Sequence, residues 1–190
     1  NGMSNYARNS KWSNSALVVS VKANKDFSTD LNTLAGLDFQ RSIEKKAHLF
    51  SKEMASGKEL PAQNLKDFLE QKDYPKNLSK TSSPSGLFPL SLDKVLPPFV
   101  ISHLRNSFIE FERSLKGFCF KDALLIAPET RTSSPLTISR GKEDLESLSH
   151  KGLYPCGEGA GHAGGITSAA VDGIKVAMSM IKKEKGYFPN

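Results

Sequence analysis

The chain has 190 residues and a formal net charge of +6, from 26 Lys and Arg against 20 Asp and Glu, which is enough chain for one good core or two small ones. It contains no apolar run of about eighteen residues or more and no charged-then-apolar leader, so neither a membrane span nor a secretory signal is expected, and an aqueous intracellular compartment is the default. The lysines mostly alternate with acids, as in Glu44-Lys45-Lys46 and Lys182-Lys183-Glu184-Lys185, and form no basic stripe studded with aromatics, which argues for a solvated face and against a nucleic-acid partner.

The chain opens at Asn1 without a methionine, in NGMSNYARNSKWSNSALVVSVK, a phrase that reads as a loop leading into a strand. The expectation is therefore the C-terminal part of a longer polypeptide. Ala16 to Val21 is a compact β-branched run between polar flanks and predicts a buried strand. From Ala35 to Met54 the apolar positions Phe39, Ile43, Ala47, Phe50 and Met54 recur by three and four, which predicts a helix ended by Gly57. Pro61-Ala62-Gln63 precedes a short pattern of Leu65, Phe68 and Leu69, and Gln71 to Leu90 has no apolar period and reads as a surface excursion. Pro97-Pro98 suits a second helix start, with Ile101, Leu104, Phe108, Phe111 and Leu115 on one face and Gly117 as the stop. Asp122 to Ala127 predicts a short strand, Leu136 to Ile138 another, and Leu153 to Cys156 a last one. A long helix follows, with Ile166, Ala169, Ala170, Ile174, Ala177, Met178 and Ile181 on its apolar face and Asp172, Lys175, Ser179 and Lys182 on the opposite one.

Between that last strand and the helix lies GLYPCGEGAGHAGG, with six glycines in fourteen residues. Such a turn places unpaired backbone N–H groups and the positive end of the helix dipole at a strand's C-terminal edge, where open α/β sheets bind cofactors. A tight turn with close packing would explain two or three glycines; those at 157, 159, 161, 164 and 165 point to a ligand approaching the main chain. The turn lacks the Gly-Lys-Ser/Thr ending of a phosphate loop, which argues against nucleotide hydrolysis. Gly159 to Gly164 fits G-x-G-x-x-G, yet no later strand is left to complete a βαβ unit. Glu158 stands inside the turn, where a carboxylate can accept hydrogen bonds from sugar-alcohol hydroxyls.

The phrase GLYPCGEGAGHAGGITSAAVDG resembles the C-terminal FAD signature of flavoproteins with a glutathione-reductase-like FAD domain. It looks most like that of the uncharacterised FAD-dependent dehydrogenases of bacteria and plastids. NGMSNYARNSKWSNSALVV, PAQNLKDFL from Pro61 and APETRTSSPLTISR from Ala127 to Arg140 extend the resemblance along the whole chain, most loosely over Gln71 to Leu90. The resemblance implies an α/β chain: a loop of the FAD domain over 1–15, an inserted mixed α+β domain over 16–126, and a return over 127–190 to the last strand and helix of a Rossmann-like FAD-binding domain. It implies FAD as cofactor, held through Gly157, Glu158, Gly159, Gly161, Gly164, Gly165 and Ile166. Glu158 would take the place of the acid on the ribityl chain, and Gly164, Gly165 and Ile166 would present main-chain N–H groups to the pyrimidine edge. No catalytic residue is assigned, because the flavin supplies the redox chemistry. The family pattern has Tyr where this sequence has His162, and a βαβ unit for the ADP half of FAD is missing from these residues.

Arg131, Ser133 and Ser134 form a polar loop that the resemblance places near the flavin or substrate pocket, with His162 beside it. Arg131 could grip a carboxylate or phosphate or simply pair with Glu129. Arg8, Ser10 and Asn14 in the first loop could likewise face the cofactor or only order the loop. Cys119 and Cys156 form no spaced pair and are expected reduced and mostly buried. His150, Cys156 and His162 do not meet metal-site spacing, so no metal is expected.

The expected function is the C-terminal portion of an FAD-dependent oxidoreductase, whose partners are the N-terminal remainder of the same polypeptide and a small-molecule substrate. Its expected place is the cytoplasm in a bacterium or the plastid in a plant or alga. The alternatives are a non-catalytic interaction module with a basic surface and a scaffold that holds FAD without turnover.

Overall fold

The computed structural model describes residues 6–7, 9–27, 32–73 and 77–186. Within them the chain is mixed α/β, with four α-helices and one three-stranded sheet. It divides into two compact units: Asn1–Lys22 with Arg41–Glu129, and Ala23–Gln40 with Thr130–Asn190.

Helix α1 (Ala35–Met54) lies where the apolar spacing predicts it. Asn32 starts it by accepting the Leu34 N–H on its side chain at 2.8 Å and the Ala35 N–H on its carbonyl at 3.1 Å. Gly57 follows its end at φ +88°, its N–H reaching back to the Ser51 carbonyl at 3.2 Å. The chain then enters β1 (Leu60–Asn64), which is followed directly by the short helix α2 (Leu65–Leu69).

β1 is the centre of the sheet, parallel to β2 (Leu87–Pro89) and antiparallel to β3 (Leu124–Ile126). Ala62 pairs with Pro89 on one side and Ile126 on the other. Its middle residues Pro61, Ala62 and Gln63 are buried. Gln63 satisfies its buried amide by accepting the Leu92 N–H at 3.0 Å and donating to the Lys72 carbonyl at 3.1 Å. The predicted excursion over Gln71 to Leu90 therefore needs correction at its end. Phe88 and Leu90 are buried, because β2 closes one edge of the sheet.

Helix α3 (Pro98–Ser114) follows the predicted periodicity and packs Ile101 and Phe108 into a core with Leu65, Phe68, Leu92 and Ala127. Phe68 and Phe108 meet edge to face with centroids 6.1 Å apart. Leu115, expected on that face, is exposed at the C-cap, where the helix has ended.

Three predicted strands are not strands. Ala16–Val21, Leu136–Ile138 and Leu153–Cys156 carry no ladder pairing, and Val18 and Leu153 are exposed. The backbone bonds that Ile138 makes to the Ala160 carbonyl and that Leu153 accepts from the Ser147 N–H are isolated and build no ladder.

In the second unit Phe27 stacks on Phe39 at 5.4 Å, and Gln40 donates to the Thr130 carbonyl at 2.7 Å. Helix α4 (Ile166–Glu184) has the predicted extent with the reverse orientation. Asp172, Val176 and Ser179 are the buried residues, while Ile166, Ile174, Met178 and Ile181 are 83%, 61%, 55% and 51% exposed. The inner stripe at 169, 172, 173, 176 and 179 consists of small or polar residues, and its polar members are taken up by named partners. Ser179 donates to the Asp144 carbonyl at 2.5 Å, and Lys183 pairs with Glu146, whose other oxygen accepts the Gly152 N–H.

Candidate functional site

The segment into the turn is extended, and Arg140 holds it. One of its guanidinium nitrogens donates to the Pro155 carbonyl at 2.7 Å and to Asp172 Oδ2 at 3.0 Å; the other reaches Asp172 Oδ1 at 2.6 Å. Asp172 Oδ2 also accepts the Gly157 N–H at 2.9 Å. The Arg140 hydrogen bonds hold the Asp172 carboxyl down to about 2, with the Gly157 amide and the charge of Arg140 acting in the same direction against the desolvation of burial. Two strapped residues thus join the extended segment, the first glycine of the turn and the inner face of α4.

The turn itself is closed by local bonds. The His162 N–H donates to the Gly157 carbonyl and the Gly161 N–H to the Glu158 carbonyl, each at 3.0 Å. The neighbouring loop packs on its far side: Ile138 N–H donates to the Ala160 carbonyl at 3.0 Å, and the Ser134 hydroxyl to the Leu136 and Gly159 carbonyls at 2.7 and 3.4 Å. His162 sits 2.9 Å from the Ile138 carbonyl through Nε2, which therefore carries the hydrogen.

The five turn glycines divide by what the fold asks of them. Gly157 and Gly161 take φ of +71° and +78°, and a Cβ at Gly161 would lie 2.4 Å from the Leu136 carbonyl oxygen. Folding alone requires glycine there. Gly159 and Gly164 have no such φ, and a Cβ on either would stand in open space; at Gly165, an extended N-cap, it would meet only Ser168 Oγ, at 3.8 Å. The main chain is bare at these three without internal need.

Glu158 is half-buried in the same turn, and among the described residues no group hydrogen-bonds its carboxylate. Gly165 is the N-cap of α4 and supplies no side-chain acceptor to the first turn of the helix. An open groove runs along this end, lined by His162, Gly165, Ile166, Thr167, Asp172 and Lys175. The turn thus offers a hydrogen-bond acceptor at Glu158 and uncapped donors at the start of α4, with bare main chain at Gly159, Gly164 and Gly165.

The structure brings Ser134 and His162 to the turn, whereas Arg131 and Ser133 are exposed. Ser10 is hydrogen-bonded to Ser82 at 2.6 Å, and Arg8 lies outside the described residues. Both thiols are free, and Cys156 is exposed, not buried as expected. Among the described residues no group of three or more His, Cys, Asp or Glu could hold a metal ion, and no helix is long and apolar enough to cross a membrane. Sequence reading missed Arg140 and placed Asp172 on the outer face.

The family "FAD-dependent protein, C-terminal domain-like" matches residues 1–132, and the chain belongs to it. That match ends before the glycine turn. A protein of Clostridium beijerinckii described as uncharacterized is 42% identical over 185 residues, which make up 96% of this chain and so include the turn. The chain spans 33% of that relative's length.

Proposed function

We propose that the chain is the C-terminal part of an FAD-dependent oxidoreductase and that its turn from Gly157 to Ile166 contributes the ribityl and pyrimidine side of the flavin site. The observation that carries this reading is the bareness of Gly159, Gly164 and Gly165, which the fold does not demand, in a chain of an FAD-dependent family. The residues present suit such a group. Glu158 has a free carboxylate to accept ribityl hydroxyls, and the uncapped amides of Gly165 and Ile166 can donate to a ring edge.

FAD, when bound, supplies the electron or hydride transfer. The chain's own residues bind and orient. The positive end of α4 favours negative charge beside Gly164 to Ile166 by about 0.3–1 kcal/mol, and about 2 when partly buried. His162 and Ser134 hold the turn against the neighbouring loop, and the exposed loop of Arg131 and Ser133 is the proposed substrate side. The last strand and helix of a Rossmann-like domain are the architecture that goes with this reading, and the cytoplasm or plastid the compartment.

The outward face of α4 supports a companion reading of the partner. Ile166, Ile174, Met178 and Ile181 form an exposed apolar stripe of the kind that marks an interaction site, and the relative has twice this chain's length besides the matched part. The partner proposed is the remainder of such a polypeptide. Purifying a polypeptide of the relative's full length and recording its visible absorbance tests the function: a flavin spectrum at one FAD per chain, weakened by Glu158→Ala, is expected. A well-folded protein that takes up no FAD would refute it.

A further inference from the structure

The ion pair of Arg140 and Asp172 is not an isolated core bridge. Both side chains are nearly buried, at 12% and 10% exposure, yet each also grips the main chain of the segment that becomes the turn. Arg140 holds the Pro155 carbonyl, and Asp172 the Gly157 N–H. These contacts fix the two peptide units on either side of Cys156, just ahead of Glu158. Asp172 further lies six residues into α4, so the same carboxylate ties the start of the turn to the helix whose N-terminus ends it. Cys156, between the two gripped residues, is itself exposed.

We propose that Asp172 and Arg140 are positioning residues for the cofactor turn: their clasp on Pro155 and Gly157 sets the direction of the Glu158 carboxylate relative to the open amides at the start of α4. The assignment rests on the flavin reading above. A buried ion pair serving stability alone needs only its own two partners and could be replaced by apolar groups of like volume. Here the carboxylate also accepts the Gly157 N–H, whereas the turn's own backbone bonds are donated by Gly161 and His162.

The clasp makes two positions inequivalent in a testable way. Asp172→Asn retains an oxygen for the Gly157 N–H while weakening the grip on Arg140; Asp172→Ala removes both. In the full-length polypeptide loaded with FAD, Asp172→Ala is expected to weaken FAD binding by about tenfold or more, the value of one buried hydrogen bond lost, and to shift the flavin's visible spectrum and reduction potential. Asp172→Asn is expected to fall between that variant and wild type. Val176→Ala, on the same buried stripe but away from the turn, is the stability control: it should lower the melting temperature while FAD affinity and spectrum stay within about twofold of wild type.

Hydrogen exchange at the Gly157 amide, measured without FAD, reports the clasp independently and should quicken in Asp172→Ala. If that variant does not fold, Asp172→Asn and Arg140→Lys carry the same comparison. Wild-type affinity and spectrum in the Asp172 variants, or equal loss in Val176→Ala, would overturn the positioning role and leave the flavin reading standing. A wild-type protein that binds no FAD would instead overturn that reading and this assignment with it, while exchange at Gly157 would still show whether the clasp exists.

Discussion

Gly157 and Gly161 are glycines because the backbone turns through positive φ and, at Gly161, because the Leu136 carbonyl leaves no room for a Cβ. Gly161→Ala should therefore destabilise the chain by about 1–3 kcal/mol, the cost of a residue held in a sparsely populated region, with further overlap to relieve. Gly159→Ala and Gly164→Ala should leave the melting temperature within the range of ordinary surface changes, about ±0.5 kcal/mol. Thermal unfolding of the three variants checks this division. Asp172 adds a pH dependence. Its carboxyl titrates at about 2 when folded against an ordinary 3.8, so the unfolded chain binds the proton more readily. The stabilisation is complete above about pH 4 and disappears as pH falls through the folded value. Unfolding measured from pH 6 to pH 2 should show wild type and Asp172→Asn converging towards the acid end; a constant gap would contradict the ionised clasp.

Helices were legible as elements wherever their apolar residues recurred by three and four, and α1, α3 and α4 have nearly the extents that Phe39 to Met54, Ile101 to Leu115 and Ile166 to Ile181 predict. Which face a helix buries was not legible. Periodicity in α4 marks a wide apolar stripe but carries no information on whether its partner lies within these residues. Strands were legible only in part. Asp122 to Ala127 holds β3 as predicted, whereas Ala16–Val21 and Leu153–Cys156 have strand composition without a ladder, and β1 was concealed by Pro61, which removes a ladder donor and ordinarily argues against a central strand. Pro61 still contributes its carbonyl, accepting the Ala127 N–H at 3.1 Å. At the turn, the glycines and Glu158 could be read from the sequence, but the clasp could not, since Arg140 and Asp172 are thirty-two positions apart. The inverted α4 has a direct test in this chain. Val176→Asp should cost more than about 2 kcal/mol, because it buries an unpaired charge, while Ile174→Asp should cost under about 0.5 kcal/mol. Equal losses in denaturant unfolding would mean the outer face is covered.

At the scale of the whole molecule, the chain is a family member matching one third of a relative's length, with bare glycines and an apolar stripe that its own fold does not use. In a polypeptide of the relative's length Ile174→Asp should become costly, since the stripe would then be covered; a loss as small as in the chain by itself would argue against that partner. The central claim is that the turn from Gly157 to Ile166 is shaped for a flavin. The most direct measurement is the FAD dissociation constant of the full-length polypeptide carrying Gly159→Ala and Gly164→Ala, positions at which an added Cβ meets nothing in the fold. An unchanged melting temperature of the flavin-free protein with FAD affinity lowered at least about tenfold, as expected when a ligand group is displaced, is the predicted result. Unchanged FAD affinity in that variant would contradict it.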